Sequence, residues 1–382
     1  MRRKICIVIT TRGNYAKMKS TMLAILGDPR LAIQIVVGGG ILLDRYGDYS
    51  DHIESEGFAI AERVPFLLGG DSLESMTMSA GMATLELGRT FARLRPDVVI
   101  VIADRYEALS VAHAAMCMNI AIAHLEGGEI SGSIDERIRH AITKLAHVHF
   151  PATSEAAERI RRMGESDESI IRIGTPSLDL LAALDLDDIS PLEDFLARRG
   201  HGDVIELRGE YIVVSQHSVV TEIELAEQQL RATLEAARRI GLPVVWILPN
   251  MDAGEASAAI VLAQNRTDPM RIRVVTSLPM ELYARLLKRS RCLVGNSSSG
   301  IRECEYLGVP VVNIGTRQNG RQRGRNVLDV DHDVDSIVLA VNRQLDHGHY
   351  SSDSIYGDGN SGKLLSEALA TMSLEIDKRI TY

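Results

Sequence analysis

The chain lacks any long apolar run. No stretch approaches the ~18 residues a membrane-spanning helix requires. It also lacks an excess of basic residues: 42 Lys and Arg stand against 51 Asp and Glu, a net charge of −9. A field of that sign repels phosphate at long range, so neither nucleic acid nor a membrane is an expected partner. A phosphate-bearing ligand would have to be held locally, by a few placed arginines and backbone N–H groups. Cysteine is scarce. Cys6, Cys117, Cys292 and Cys304 contain no CxxC pair, and Cys6 and Cys292 lie in apolar segments, which reads as buried, reduced thiols in a cytoplasmic protein. The turn after Ile5–Ile9 is neither a GxGxxG fingerprint nor a P-loop, and there is no internal repeat and no low-complexity tract. The basic start Met1-Arg2-Arg3-Lys4 leads into Ile5–Ile9, too short for a signal-peptide core and read as a strand.

What is present is ordinary in bulk and informative in order. Apolar residues make up 45% of 382 and charged residues 24%, near the globular average, which excludes collagen-like, coiled-coil and wholly disordered chains. Short, nearly continuous apolar runs recur in two series. The first is Ile5–Ile9, Ala32–Val37, Val98–Ile102, Ala121–His124, Val148–Phe150 and Ile171–Ile173. The second is Tyr211–Val214, Val244–Leu248, Ile272–Val275, Cys292–Val294, Val311–Ile314 and Val327–Val330. Runs without polar alternation mark parallel strands covered on both faces, and helical stretches between them imply βαβ crossovers. The fold class is therefore α/β with two doubly wound, Rossmann-like domains. The expected division is 1–176, 177–361 and a C-terminal segment, 362–382. In that segment Gly362–Lys378 reads as an amphipathic helix with Leu364, Leu365, Leu369 and Met372 on one side, crossing back to the first domain. A helix around Pro191–Arg199 is expected to bridge the domains.

Ligands of open α/β sheets sit beyond the carboxyl ends of the strands, so the residues that follow each run are the candidates. Arg12 lies in the turn after Ile5–Ile9, where a helix N-terminus and a guanidinium suit phosphate, or where an arginine simply faces solvent. Asp104 and Arg105 follow Val98–Ile102. Glu126 and the Gly127-Gly128 pair follow Ala121–His124, and Asp135 stands in the first turn of a helix over Glu136–Ala146. Asp104 and Asp135 each serve equally well as helix caps. Three carboxylates at one sheet edge repel, however, which separates acid from base roles.

In the second series His217 follows Tyr211–Val214, and Asn250 lies in the turn after Val244–Leu248. The strongest signal is Gly295-Asn296-Ser297-Ser298-Ser299-Gly300-Ile301-Arg302-Glu303, a Gly/Ser-rich loop between a strand and a helix. Such a loop offers backbone N–H groups and hydroxyls to a phosphate. Glu303 falls where a carboxylate accepts both hydroxyls of a ribose, and Arg317 brings a fixed charge after the next run. The pair His147 and His149 has strand spacing but no third ligand nearby, so it reads as structural, and no metal or other cofactor is expected.

Several of these runs resemble one family. They are Asp104-Arg105-Tyr106-Glu107-Ala108-Leu109, His124-Leu125-Glu126-Gly127-Gly128-Glu129, the stretch Asp135–His147, the Gly295–Glu303 loop and Asn313-Ile314-Gly315-Thr316-Arg317-Gln318. Together they look like the UDP-N-acetylglucosamine 2-epimerases, in particular the hydrolysing branch used for sialic-acid-type sugars. The resemblance implies a glycosyltransferase-B-like arrangement with an interdomain active-site cleft, a UDP-sugar substrate and a homodimer or homotetramer. It implies Asp104, Glu126 and Asp135 as acid/base carboxylates, and His217 as a catalytic or diphosphate contact. Arg12 and Arg105 would face the charged part of the substrate, Ser297, Ser298 and Arg317 the diphosphate, and Glu303 the ribose. Asn250 would lie near the nucleotide and Leu278 at the uracil. Two departures touch the substrate side: Arg12-Gly13-Asn14-Tyr15-Ala16 stands where the family shows Arg-Ala-Asp-Tyr, and Gln216-His217-Ser218 where a His-Pro pair is familiar. A non-hydrolysing epimerase, an epimerase of a 2,4-diacetamido sugar, a GDP carrier, a glycosyltransferase and a non-catalytic sugar-nucleotide sensor are the competing expectations.

Overall fold

The computed structural model describes the whole chain except residues 1, 44–48, 70–71, 103–104, 131–133, 249–262, 264–269, 277 and 382, and the side chains of 134, 135, 220, 221 and 223. The chain divides into two units. One holds the chain up to Ile130, then Ile134–Ala182, and again from Tyr356 on; the other holds Ala183–Ile355.

The first unit carries a six-stranded parallel sheet: β1 (Arg3–Ile9), β2 (Leu31–Gly38), β3 (Ile60–Val64), β4 (Val98–Ile102), β5 (Ala121–Leu125) and β6 (Val148–Phe150). Their spatial order is β3-β2-β1-β4-β5-β6, the doubly wound order in which the switch point falls between β1 and β4. The pleat explains the unbroken apolar runs. Ile5, Ile7 and Ile9 enter one core together with Val98, Ile100 and Ile102, while Cys6, Val8, Val99 and Val101 enter the core on the opposite face.

The second unit carries β7 (His201–Gly202), β8 (Ile212–Ser215), β9 (Val244–Ile247), β10 (Ile272–Val275), β11 (Cys292–Gly295), β12 (Val311–Ile314) and β13 (Val327–Val330). Their order is β13-β12-β11-β8-β9-β10-β7, parallel except for β7, which pairs antiparallel with β10. Ile212, Val214, Trp246, Val294 and Val312 share its core with the helices Ala226–Ile240 and Val334–His347.

Three sequence expectations are corrected, and one strand, β3, belongs to neither series of apolar runs. Ile171–Ile173 forms no strand; it runs beside β6 through an isolated bridge at Ile170 and the bond from Ile171 N–H to His149 O at 2.9 Å. β3 has no apolar run: it is an edge strand, reading Ile-Ala-Glu-Arg-Val, with Arg63 exposed and Glu62 on the opposite face paired with Arg93. The C-terminal helix is Ser361–Thr371: Leu365 and Leu369 are fully buried, but Leu364 is 46% exposed, one residue off the buried stripe. Cys117 is exposed, whereas Cys6, Cys292 and Cys304 are buried.

Helix Ser190–Arg199 belongs to the second unit, where Arg273 donates to its Leu196 carbonyl. Helix Pro176–Ala182 stays with the first. Both it and Ser361–Thr371 pack on helix Arg12–Gly27. The Asp179 carboxylate accepts the N–H groups of Ser361 and Gly362 at 2.9 and 2.6 Å. No helix among the described residues is long and apolar enough to cross a membrane.

Candidate active site

In the first unit the chemistry collects where β5 ends. Glu126 takes a left-handed backbone conformation, φ +56°, uncommon for a residue with a side chain. Its carboxylate is 4% exposed. Oε2 accepts from Lys17 Nζ at 3.0 Å, and Oε1 accepts from Thr175 Oγ1 at 2.5 Å. Lys17 comes from helix Arg12–Gly27 and Thr175 from the turn before helix Pro176–Ala182, so two distant segments converge on one acid.

The turn after Glu126 needs its glycines for packing. Gly128 has φ +77°, and a Cβ there would stand 2.3 Å from the Ala156 carbonyl. Beneath the turn lies His124, fully buried, its Nδ1 3.2 Å from Thr143 Oγ1. That hydroxyl also lies within donating distance of Arg139 O, at 3.1 Å. Burial holds the His124 pKa well below its ordinary value. Arg139, also buried, donates to Glu129 O at 2.8 Å. Both Thr143 and Arg139 belong to helix Ile134–Leu145, whose second residue is Asp135. This helix is thereby stitched to the turn that carries Glu126.

Arg12 opens the first helix, behind the Thr11 cap, and its guanidinium lies 5.1 Å over the Tyr49 ring. Arg105 forks onto the buried Glu107 carboxylate at 2.9 and 3.1 Å. Asp104 and Asn250 lie outside the described residues, as does the side chain of Asp135.

In the second unit the candidates collect at the adjacent ends of β8 and β11. Gly295 has φ +132° and passes so close to β8 that a Cβ would meet Ser215 O at 2.2 Å. The next residue, Asn296, is fully buried. Its Oδ1 accepts the His217 N–H at 2.7 Å and its Nδ2 donates to the His217 carbonyl at 2.8 Å. Its own carbonyl accepts from Arg317 Nη1 and Gln318 Nε2, both at 2.9 Å. One asparagine thus brings His217 and Arg317 together. Burial, and then the Arg317 charge, push the His217 pKa from 6.5 down to about 4.

Ser297 and Ser298 follow at the start of a short 3-10 turn, Ser298–Gly300. Helix Glu303–Leu307 comes next, with Glu303 7% exposed. Leu278, half-buried, precedes Pro279, the cap of helix Met280–Arg289. Each unit therefore gathers its candidates at the carboxyl ends of its own strands. Lys17, Thr175, Asn296 and Gln318 were not singled out from sequence. Asn296 and Gln318 lie in runs that carry the family resemblance, without an assigned role, whereas Lys17 and Thr175 leave no signal there.

A profile of the family described as UDP-N-acetylglucosamine 2-epimerase matches residues 24–370. The chain belongs to this family.

A UDP-N,N'-diacetylbacillosamine 2-epimerase (hydrolyzing) of Legionella pneumophila is 33% identical over 374 residues, 98% of this chain and 97% of that protein. A UDP-N-acetylglucosamine 2-epimerase of Neisseria meningitidis serogroup B is 30% identical over 361 residues, covering 94% and 92%. Among solved structures, the UDP-GlcNAc 2-epimerase from Neisseria meningitidis bound to UDP-GlcNAc superposes with a TM-score of 0.80 at 16% identity, covering 96% of this chain and 99% of that one. The α/β class with two Rossmann-like units, expected from sequence, is the family's fold. Among the described residues no group of three or more His, Cys, Asp or Glu side chains is placed to hold a metal ion. His147 and His149 have other partners: the first accepts from Ile122 N–H at 3.0 Å, and the second pairs with Glu165 Oε2 at 3.1 Å.

Proposed function

We propose that this family member is a hydrolysing 2-epimerase that converts UDP-N-acetylglucosamine to N-acetylmannosamine and UDP. The observation that carries the reading is Glu126: a nearly buried carboxylate at a strand end, held by Lys17 and Thr175 in a backbone conformation that costs energy to maintain. A second reading, a 2,4-diacetamido sugar nucleotide as substrate, is favoured by the near-complete match to the Legionella protein named for such a substrate.

The chemistry follows from the substrate. C2 has no adjacent carbonyl, so its proton is too weak an acid to be removed directly. Breaking the C1–O bond sends the electron pair to the UDP phosphate and makes C1 oxocarbenium-like, which acidifies the C2 proton. Arg317, Arg12 and the Ser297–Ser298 amides are proposed to hold the developing charge, each such donor supplying about 2.7–4 kcal/mol. A carboxylate from Asp104, Glu126 and Asp135 takes the C2 proton, leaving a glycal with a C1–C2 double bond. A carboxylic acid from the same set returns a proton to C2 from the opposite face, and water adds its hydroxyl to C1 while its remaining proton passes to the carboxylate just formed. In this reading Glu303 accepts the ribose hydroxyls, Leu278 and Asn250 line the nucleotide, and Arg105 faces the charged part of the substrate. The oligomer is a homodimer or homotetramer in the cytoplasm.

Mass spectrometry of the products in heavy water tests this. Free N-acetylmannosamine with deuterium at C2 is expected. UDP-N-acetylmannosamine would mark a non-hydrolysing enzyme, and retained hydrogen at C2 would remove the elimination. Turnover of only the UDP-2,4-diacetamido sugar would select the second reading, and binding without turnover would leave a sensor.

A further inference from the structure

The loop after β11 contains a chain of hydroxyls that the reading above does not use in full. Tyr283 Oη lies 2.6 Å from Ser299 Oγ, and Ser299 Oγ lies 2.8 Å from Ser297 Oγ. Ser299 is buried, while Ser297 is half-buried at the start of the turn. Tyr283 stands in the first turn of helix Met280–Arg289, where its N–H donates to Pro279 O at 2.9 Å. The phenol is therefore fixed by the helix that begins directly after Leu278.

Each hydroxyl has one proton to give and lone pairs to accept with. With no anion present the chain can run in either direction. An anion only accepts, so a phosphate at Ser297 selects one direction: Ser297 donates outward, Ser299 donates to Ser297, and Tyr283 donates to Ser299. Each donor in such a series polarises the next. The last member must keep its proton. Burial, with Cys304 and then Glu303 adding to it, pushes the Tyr283 phenol above its ordinary value, so it stays protonated at neutral pH. Glu303 acts on that phenol through its charge, and the phenol's hydrogen-bond partners are Ser299 and, more weakly, Ser297. Ser299 Oγ, at 2.6 Å, is the partner that receives the Tyr283 proton in this direction.

We propose that Tyr283 is a positioning residue of the nucleotide site, the terminal donor of a Tyr283–Ser299–Ser297 hydroxyl chain that aims the Ser297 proton at the diphosphate. This rests on the reading of Ser297 as a diphosphate contact. Tyr283 itself touches no substrate in this scheme.

Calorimetric titration with UDP, and ligand-observed NMR titration with uridine, separate the possibilities. Tyr283→Phe should weaken UDP about fivefold, the scale of one lost neutral hydrogen bond, and leave uridine unchanged, because uridine has no phosphate. Tyr283→Phe combined with Ser299→Ala should weaken UDP no more than the stronger single variant, since both break one chain. Equal losses for UDP and uridine would make Tyr283 a structural support and overturn the proposal. So would unchanged UDP affinity in Tyr283→Phe alongside weakened affinity in Ser297→Ala. If Ser297→Ala itself leaves UDP affinity intact, the nucleotide-site reading beneath the proposal is what fails.

Discussion

Asn296 grips the backbone of His217 at two points, accepting its N–H at 2.7 Å and donating to its carbonyl at 2.8 Å. The grip ties the end of β11 to the end of β8, and Asn296 is fully buried. Truncating it strands two backbone groups, at about 1–3 kcal/mol for each that stays buried without a partner. Asn296→Ala is expected to lower stability by at least about 2 kcal/mol, with turnover falling as His217 and Arg317 lose their common anchor. Urea unfolding and initial rates on the same preparation check both effects; unchanged stability would show that the loop relaxes and finds other partners.

His217 makes a pH prediction with a definite sign. Its pKa of about 4 lies below the ordinary 6.5 because burial and the Arg317 charge disfavour the imidazolium. The unfolded chain therefore binds the proton first. The stabilisation is complete above about pH 6.5 and disappears as pH falls through about 4. A diphosphate beside Arg317 would offset that charge and raise the pKa. UDP binding near pH 5.5 should then take up protons, visible as a dependence of binding enthalpy on buffer ionisation. His217→Asn should remove that uptake. A variant with the same uptake would move the proton elsewhere and take His217 off the diphosphate.

Glu126→Gln keeps the shape of the side chain and removes its charge. Lys17 is 35% exposed, so water can solvate the ammonium left behind and the fold should survive. Turnover is expected to drop at least about 100-fold, the lower end for a lost general acid or base, with UDP affinity little changed. The amides of Asp104 and Asp135 should behave alike. A variant with near-normal turnover is struck from the catalytic set. Loss of UDP binding in all three would make these acids supports of the fold.

Asp179 caps helix Ser361–Thr371 through two backbone N–H groups, and that helix delivers Leu365 and Leu369 to the core of the first unit. Asp179→Ala should destabilise by about 1–2 kcal/mol, the range for a lost N-terminal cap. Thermal unfolding would show it. An unshifted midpoint would mean the helix is held by its apolar side chains alone.

Much of this architecture is visible in the chain itself. Parallel strands buried on both faces must be apolar throughout, which is why β1, β4, β5, β8, β11 and β12 stand out as short runs. The residues that follow such runs reach the sheet's carboxyl edge by connectivity alone, so Glu126, His217 and the Ser297–Ser299 loop could be placed without coordinates. The edge strands could not. β3 carries Glu62 and Arg63 on opposite faces and so shows neither an apolar run nor a clean alternation, and β7 is two residues long. The end of the C-terminal helix was equally hidden, because a shift of one residue decides whether Leu364 or Leu365 faces the core.

The partners of the site residues were decided by tertiary structure. Lys17 meets Glu126 across 109 positions, and Arg317 meets Asn296 across 21. Nothing local in sequence encodes those contacts, because they arise only when strands far apart in the chain are laid side by side. Hydrophobic pattern and connectivity are local or periodic properties, so the sequence by itself determined which elements form and which turns lie at the sheet edges. Hydrogen-bond partners, burial and the depressed pKa of His217 depend on distances between remote segments, and only the packed structure decides those.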